Sequence, residues 1–163
     1  MTIEPKTGVL FVCLGNICRS PLAEGVFRAE LERRGLASAF LVDSCGTGGW
    51  HVGEGPDGRS VEVAARHGVD ISRQRSRKLA QPDYSAFAWI VAMDRNNHRD
   101  VMARRPPESS AQIVSFMPWV PDAPTPDVPD PYYGGPGGFD HVYDLLHRGM
   151  GPLLDAILEA KSA

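Results

Sequence analysis

Residues 9–12 read Val-Leu-Phe-Val and run straight into Cys13 with no polar alternation. A strand that is apolar at every position has to be covered on both faces, the situation of a parallel sheet with helices on either side. The turn that follows, Leu-Gly-Asn-Ile-Cys-Arg over 14–19, is short and leads into a helical pattern from Ser20. Pro21 suits a first helical turn, where its missing N–H costs nothing. Leu22, Val26 and Ala29 then recur at helical spacing beside Phe27 and Leu31, and Gly35 closes the segment after Arg33 and Arg34.

Further strands are expected at 40–44, 88–93 and 112–116, and helices at 60–67, 94–105 and 139–161. Strands alternating with helices give α/β with a parallel sheet, read here as a single domain over 1–163 with no internal repeat. Two loops interrupt the pattern. Residues 45–58 are Gly-rich and carry Trp50, and residues 117–138 are rich in Pro, Gly and Asp and carry Asp122, Asp127 and Asp130. A loop of about 20 residues inside a compact domain usually marks function or disorder.

The net charge of −3 argues against a broad nucleic-acid or anionic-membrane surface, while allowing a local cationic pocket. No run approaches the roughly 20 apolar residues that span a bilayer, and the first residues lack the apolar core of a secretory signal. Three cysteines do not make a disulfide framework, so reduced thiols and a cytoplasmic location are expected, signal-independent export aside.

In an open α/β sheet, ligands bind beyond the carboxyl ends of strands, where helix N-termini aim their amides outward. Cys13 stands at that point. Gly15 and Asn16 tolerate the left-handed conformations with which a short loop turns several N–H groups onto one anion. Arg19 adds a planar fork able to grip two phosphate oxygens. The same field favours a thiolate at Cys13, because a helix N-terminus and a neighbouring arginine lower a cysteine pKa from about 8.5. The expected chemistry is attack by Cys13 on a bound phosphorus, with Leu14 through Arg19 and Ser20 cradling the oxygens, and with Ser20 helping the thiolate to leave. There is no Gly-Lys-Ser/Thr for a triphosphate with Mg²⁺, and Cys13 and Cys18 lack a second ligand pair for zinc. Composition alone leaves Asp122, Asp127 and Asp130 open as proton donors, with a local advantage to Asp130, held extended before Pro131.

CLGNICRS (13–20) resembles the signature of the low-molecular-weight protein tyrosine phosphatases. VDSCGTGGW (42–50), RHGVDIS (66–72), VAMDRNNHRD (91–100) and DPYYGG (130–135) resemble later blocks of that family in order and spacing. The resemblance implies a four-stranded parallel sheet flanked by helices with a phosphate-binding loop after strand one. It implies a phosphocysteine mechanism, no metal and no cofactor, a phosphotyrosine-containing protein as substrate, and inorganic phosphate or other oxyanions as ligands of the site.

Carried over residue by residue, Asp130 resembles the general acid, and Trp50 and Tyr132 resemble the walls of the substrate cleft. Ser44, with Asn16 and Ser20, resembles a network bracing the loop, and His67 is expected to support it. Asp94 lies at a strand end near the site. Cys18 resembles a second thiol able to pair reversibly with Cys13. Tyr133 is read as packing or a phosphorylation site, and Cys45, where an alanine is expected, as a small buried hydrophobe. Three alternatives are weighed. An arsenate reductase needs further cysteines, and none follows Cys45. A protein-arginine phosphatase carries a small polar residue where this chain has Ile17. A catalytically dead phosphate-binding module would have no use for Cys13, Arg19 and Asp130 together.

Overall fold

The computed structural model describes residues 5–132, 134 and 137–162. Four strands, β1 (Thr7–Cys13), β2 (Phe40–Gly46), β3 (Trp89–Ala92) and β4 (Gln112–Ser115), form one sheet. Their order is β2-β1-β3-β4 and every neighbouring pair is parallel. Around it lie α1 (Arg19–Arg33), α2 (Gly58–Arg66), α3 (Asp83–Ala86), α4 (Arg95–Ala103) and α5 (Gly138–Ser162).

The unbroken apolar run of β1 is explained by its central place, and Val9 to Val12 have no exposed surface. The pleat divides them. Val9 and Phe11 belong to the larger core with Phe27 of α1 and Leu145 and Leu153 of α5. Leu10 and Val12 belong to a second core with Tyr84 of α3 and Val101 of α4. The chain leaves β1 for β2 and leaves β3 for β4 on the opposite side. The carboxyl ends of β1 and β3 therefore flank the crevice in which sheets of this kind take their ligands.

Boundaries depart from expectation in ways that matter for the site. Helix α1 begins at Arg19, one residue before the expected start, so the guanidinium is carried by the helix itself. Helix α4 begins after Asp94, which is its N-cap, with Asn97 N donating to the carboxylate at 2.7 Å. Helix α3 has only four residues and no periodicity by which to find it. Helix α5 continues through Pro152, whose ring removes the hydrogen bond to the Arg148 carbonyl.

Candidate active site

Cys13 is the last residue of β1, in register with Gly46 of β2. Its Sγ receives the Asn16 amide at 3.3 Å and lies 3.0 Å from Ser20 Oγ. The turn between them depends on Asn16, which holds the left-handed region at φ 57°. Gly46 lies beneath it: a Cβ there would stand 2.7 Å from the Leu14 carbonyl oxygen and 3.2 Å from the Asn16 nitrogen, so a side chain would displace the loop. Helix α1 opens at Cys18 with no side-chain cap, leaving first-turn amides for an anion.

A directed chain of hydrogen bonds braces this turn. Arg77 N donates to Asn16 Oδ1 at 3.0 Å, which fixes the amide orientation. Asn16 Nδ2 then donates to Ser44 Oγ at 3.0 Å and to Ser20 Oγ at 2.8 Å. Ser44 in turn donates to Glu24 Oε1 at 2.7 Å. Ser20 Oγ, which accepts from Asn16, is also within donating distance of the Cys45 carbonyl at 3.3 Å and of Cys13 Sγ, and with a thiolate at Cys13 the hydroxyl would be the donor to sulfur. Burial raises the Glu24 pKa, with Ser44 and Arg28 pulling the other way.

Arg19 is 3% exposed. Its Nη1 donates to Asp94 Oδ2 at 2.7 Å and to the Val128 carbonyl at 3.1 Å, which uses both Nη1 protons. Nη2 stands 3.7 Å from Asp130 Oδ2, beyond hydrogen-bond reach, so the Nε–Nη2 edge has no hydrogen bond among the described residues. Burial works against the charge, but Cys13, Asp94 and Asp130 hold the Arg19 pKa above its ordinary value.

These groups line a cleft of about 400 Å³ shared by Cys13, Leu14, Gly15, Ile17, Cys18 and Arg19 with Trp50, His51, Asp130 and Tyr132. Trp50 is 71% exposed and Tyr132 38% exposed, flat apolar surface at the mouth. The three loop carboxylates part company here. Asp130 lines the cleft, Asp127 is bound to Arg95, and Asp122 is exposed at φ 53°. The Asp130 carboxylate also accepts from Tyr132 N at 3.1 Å, a turn around Pro131. Tyr133 lies outside the described residues.

His67 does not join the brace. It is exposed, caps the C-terminal end of α2, and stacks on Tyr143 with ring centroids 4.0 Å apart. The opposite end of that helix meets the loop, through Asp57 N to the Ile17 carbonyl at 2.8 Å and Ser60 Oγ to the Cys18 carbonyl at 3.3 Å. At 1.5 Å per residue, the stretch from Ser60 to His67 spans about 10 Å along the helix. His51 and Glu24 are site residues that the sequence reading missed. Each left a signal: His51 adjoins Trp50 in the Gly-rich loop, and Glu24 falls four residues after Ser20 on one helix face.

All three cysteines are free thiols and buried. Burial, then the charges of Asp57, Cys13 and Asp130, pushes the Cys18 thiol up to about 12, and burial raises Cys45 well above its ordinary value. Among the described residues no group of three or more His, Cys, Asp or Glu is placed to hold a metal ion, and no helix is long and apolar enough to cross a membrane.

The family model for low molecular weight phosphotyrosine protein phosphatases matches residues 8–163. A low molecular weight phosphotyrosine protein phosphatase of Schizosaccharomyces pombe is 47% identical over 85% of this chain and 88% of its own. A low molecular weight protein-tyrosine-phosphatase of Streptomyces coelicolor is 43% identical over 93% of each. Among solved structures, a protein tyrosine phosphatase from Entamoeba histolytica superposes with a TM-score of 0.90 at 35% identity, covering 96% of this chain and 99% of that one. A Drosophila arginine phosphatase superposes with a TM-score of 0.85 at 29% identity, covering 91% and 96%.

Proposed function

From the membership of this chain in the low molecular weight phosphotyrosine protein phosphatase family, we propose that it hydrolyses phosphotyrosine in proteins through a phosphocysteine intermediate. What supports the reading is that Cys13, Arg19 and Cys18, which opens the uncapped first turn of α1, line one cleft with Asp130.

In the first step, the phosphate dianion lies on the amides of Leu14 to Ser20 and on the Arg19 fork. The Cys13 thiolate attacks phosphorus in line with the departing phenolic oxygen. A P–S bond forms, the P–O bond to the ring breaks, and protonated Asp130 gives its proton to the phenolate. Such a donor is needed because phenol, with a pKa of about 10, leaves poorly unprotonated. In the second step, Asp130, now a carboxylate, takes a proton from water as the water oxygen attacks phosphorus. The P–S bond breaks, inorganic phosphate is released, and the Asn16 N–H and Ser20 O–H stabilise the returning thiolate. Charge redistributes among the equatorial oxygens in both steps, where Arg19 and the amides act most strongly. The pairing of Cys13 with Cys18 after oxidation and a cytoplasmic location belong to this same reading.

Trp50 and Tyr132 favour an aromatic ester long enough to reach the sulfur at the cleft floor. Ile17 lines the same cleft and presents apolar surface where a guanidinium would want a polar partner. Phosphotyrosine peptides are expected to exceed matched phosphoserine and phosphoarginine peptides in kcat/KM by about two orders of magnitude, the scale produced when a substrate lacks several pocket contacts. The assay is phosphate release from the three peptides, with arsenate reduction run in parallel. Faster release from phosphoarginine, or arsenate turnover, would replace the proposed substrate.

The thiols offer a second check. Iodoacetate at neutral pH is expected to modify Cys13 and to spare Cys18 and Cys45, which burial keeps protonated, and bound phosphate should protect Cys13. Peptide mass mapping that located the adduct on Cys18 or Cys45 would contradict the assignment of the nucleophile.

A further inference from the structure

We infer that Asp127 and Arg95 form a clamp that holds Asp130 in register with the Cys13 sulfur, making Asp127 a positioning residue for proton transfer; the inference rests on the role proposed for Asp130. Asp127 accepts from the Arg95 backbone N at 2.9 Å and Nε at 3.2 Å through Oδ1, and from Nη2 at 3.1 Å through Oδ2. Arg95 is the first residue of α4, so its N–H has no partner within the helix, and Asp127 supplies one from a distant loop. Asp94 serves Asn97 N, so the two aspartates each take one of the orphan amides of this helix end. A carboxylate is favoured there by the helix dipole, and the guanidinium fork fixes its orientation. Arg95, chiefly by hydrogen bonding, holds the Asp127 pKa below the usual carboxylate range.

The chain from this clamp to Asp130 is short and stiff. Val128 is 1% exposed, its N–H donates to the Met93 carbonyl at 2.9 Å, and its carbonyl accepts from Arg19 at 3.1 Å. Pro129 and Pro131 fix φ on either side of Asp130. Upstream, residues 121–126 are all exposed, tied through the Pro121 carbonyl, which accepts from Arg148 at 2.7 Å, and Thr125 Oγ1, which donates to the Asp127 carbonyl at 2.6 Å, so Asp127 is where this segment is fastened to α4. Asp130 is itself half-exposed, and an acid must come within about 3.2 Å of the oxygen it protonates. A displacement of about 1 Å can cost as much as 100-fold. The Arg95 side chain is 70% exposed and neither member of the pair lines the cleft, so the clamp acts through the backbone.

The test compares kcat/KM for phenyl phosphate, whose leaving group needs a proton, with that for p-nitrophenyl phosphate, whose leaving group does not. Asp127→Ala is expected to lose about tenfold on phenyl phosphate and less than about twofold on p-nitrophenyl phosphate, with unchanged inhibition by inorganic phosphate. Asp127→Asn, which keeps an acceptor for the α4 amide, and Arg95→Lys, which keeps the charge without the fork, should fall between. Either carries the comparison if alanine at 127 fails to fold. Asp130→Ala is run alongside and should show the same selectivity more strongly. Equal losses on both substrates at 127 and 95, or none, while Asp130→Ala stays selective, would overturn the clamp and leave the proposed acid in place. A uniform loss in Asp130→Ala would remove the acid assignment, and the clamp with it.

Discussion

Cys13→Ser is expected to lower turnover of phosphotyrosine by about 10⁴-fold or more while leaving vanadate and phosphate affinity within about threefold of the parent. The two halves of this expectation come from different atoms. Turnover needs an ionised nucleophile that can also leave, and a serine hydroxyl at neutral pH is neither. Its oxygen also sits on a shorter bond than the sulfur, farther from the phosphorus, so the Asn16 amide and Ser20 Oγ, at 3.3 and 3.0 Å from Sγ, lose a well-placed acceptor. Binding instead draws on the Nε–Nη2 edge of Arg19 and on the loop amides other than that of Asn16, which make no bond to the Cys13 sulfur. Calorimetric titration with vanadate, beside a single-turnover assay, separates the two. Parallel loss of both quantities would mean that Cys13 holds the loop together and does no chemistry. Retained turnover would mean that another group attacks.

How much of this was visible in the chain depended on whether the physics was local. β1 was legible because burial on both faces demands an apolar residue at every position, and Val9 to Val12 supply it. The anion loop was legible because left-handed turns and phosphate forks call for particular residues, and Asn16 and Arg19 stand where they are needed. Helix α3 was not, since four residues carry no period. Tertiary contacts were harder still. Composition left Asp122, Asp127 and Asp130 open, with Pro131 and the DPYY resemblance favouring Asp130, but the task of Asp127 rests on Arg95, which α4 brings to it from 32 positions away. His67 sits in a block resembling the family, yet its place at the far end of α2 follows from which end of that helix meets Ile17 and Cys18. A motif fixes chemistry at its own positions; it does not fix distances between helices. Glu24 shows the converse. An acid on a helix otherwise packed with Leu22, Val26 and Phe27 needs a buried partner, which is Ser44 and, through it, the loop.

Arg19→Lys is expected to lower kcat by about 10³-fold or more and to weaken vanadate and phosphate binding as well, in contrast to Cys13→Ser. A lysine could still neutralise Asp94, 2.7 Å from the present guanidinium, and would keep the charge. It could not do that and also present two parallel donors to a phosphate, because its three protons radiate from one nitrogen. Arg19 divides the two tasks geometrically: Nη1 is tied to Asp94 and Val128, which aims the other edge at the cleft. The pairing with Asp94 is thus the device that orients the fork, and its loss would let the side chain turn even where charge is retained. A 10³-fold fall corresponds to about 4 kcal/mol of transition-state stabilisation, more than an exposed ion pair supplies and within reach of a charged fork in a site shielded from water. Steady-state kinetics with vanadate inhibition decides the matter. A lysine variant with near-parental turnover would show that charge alone suffices, and the bidentate role assigned to Arg19 would fall.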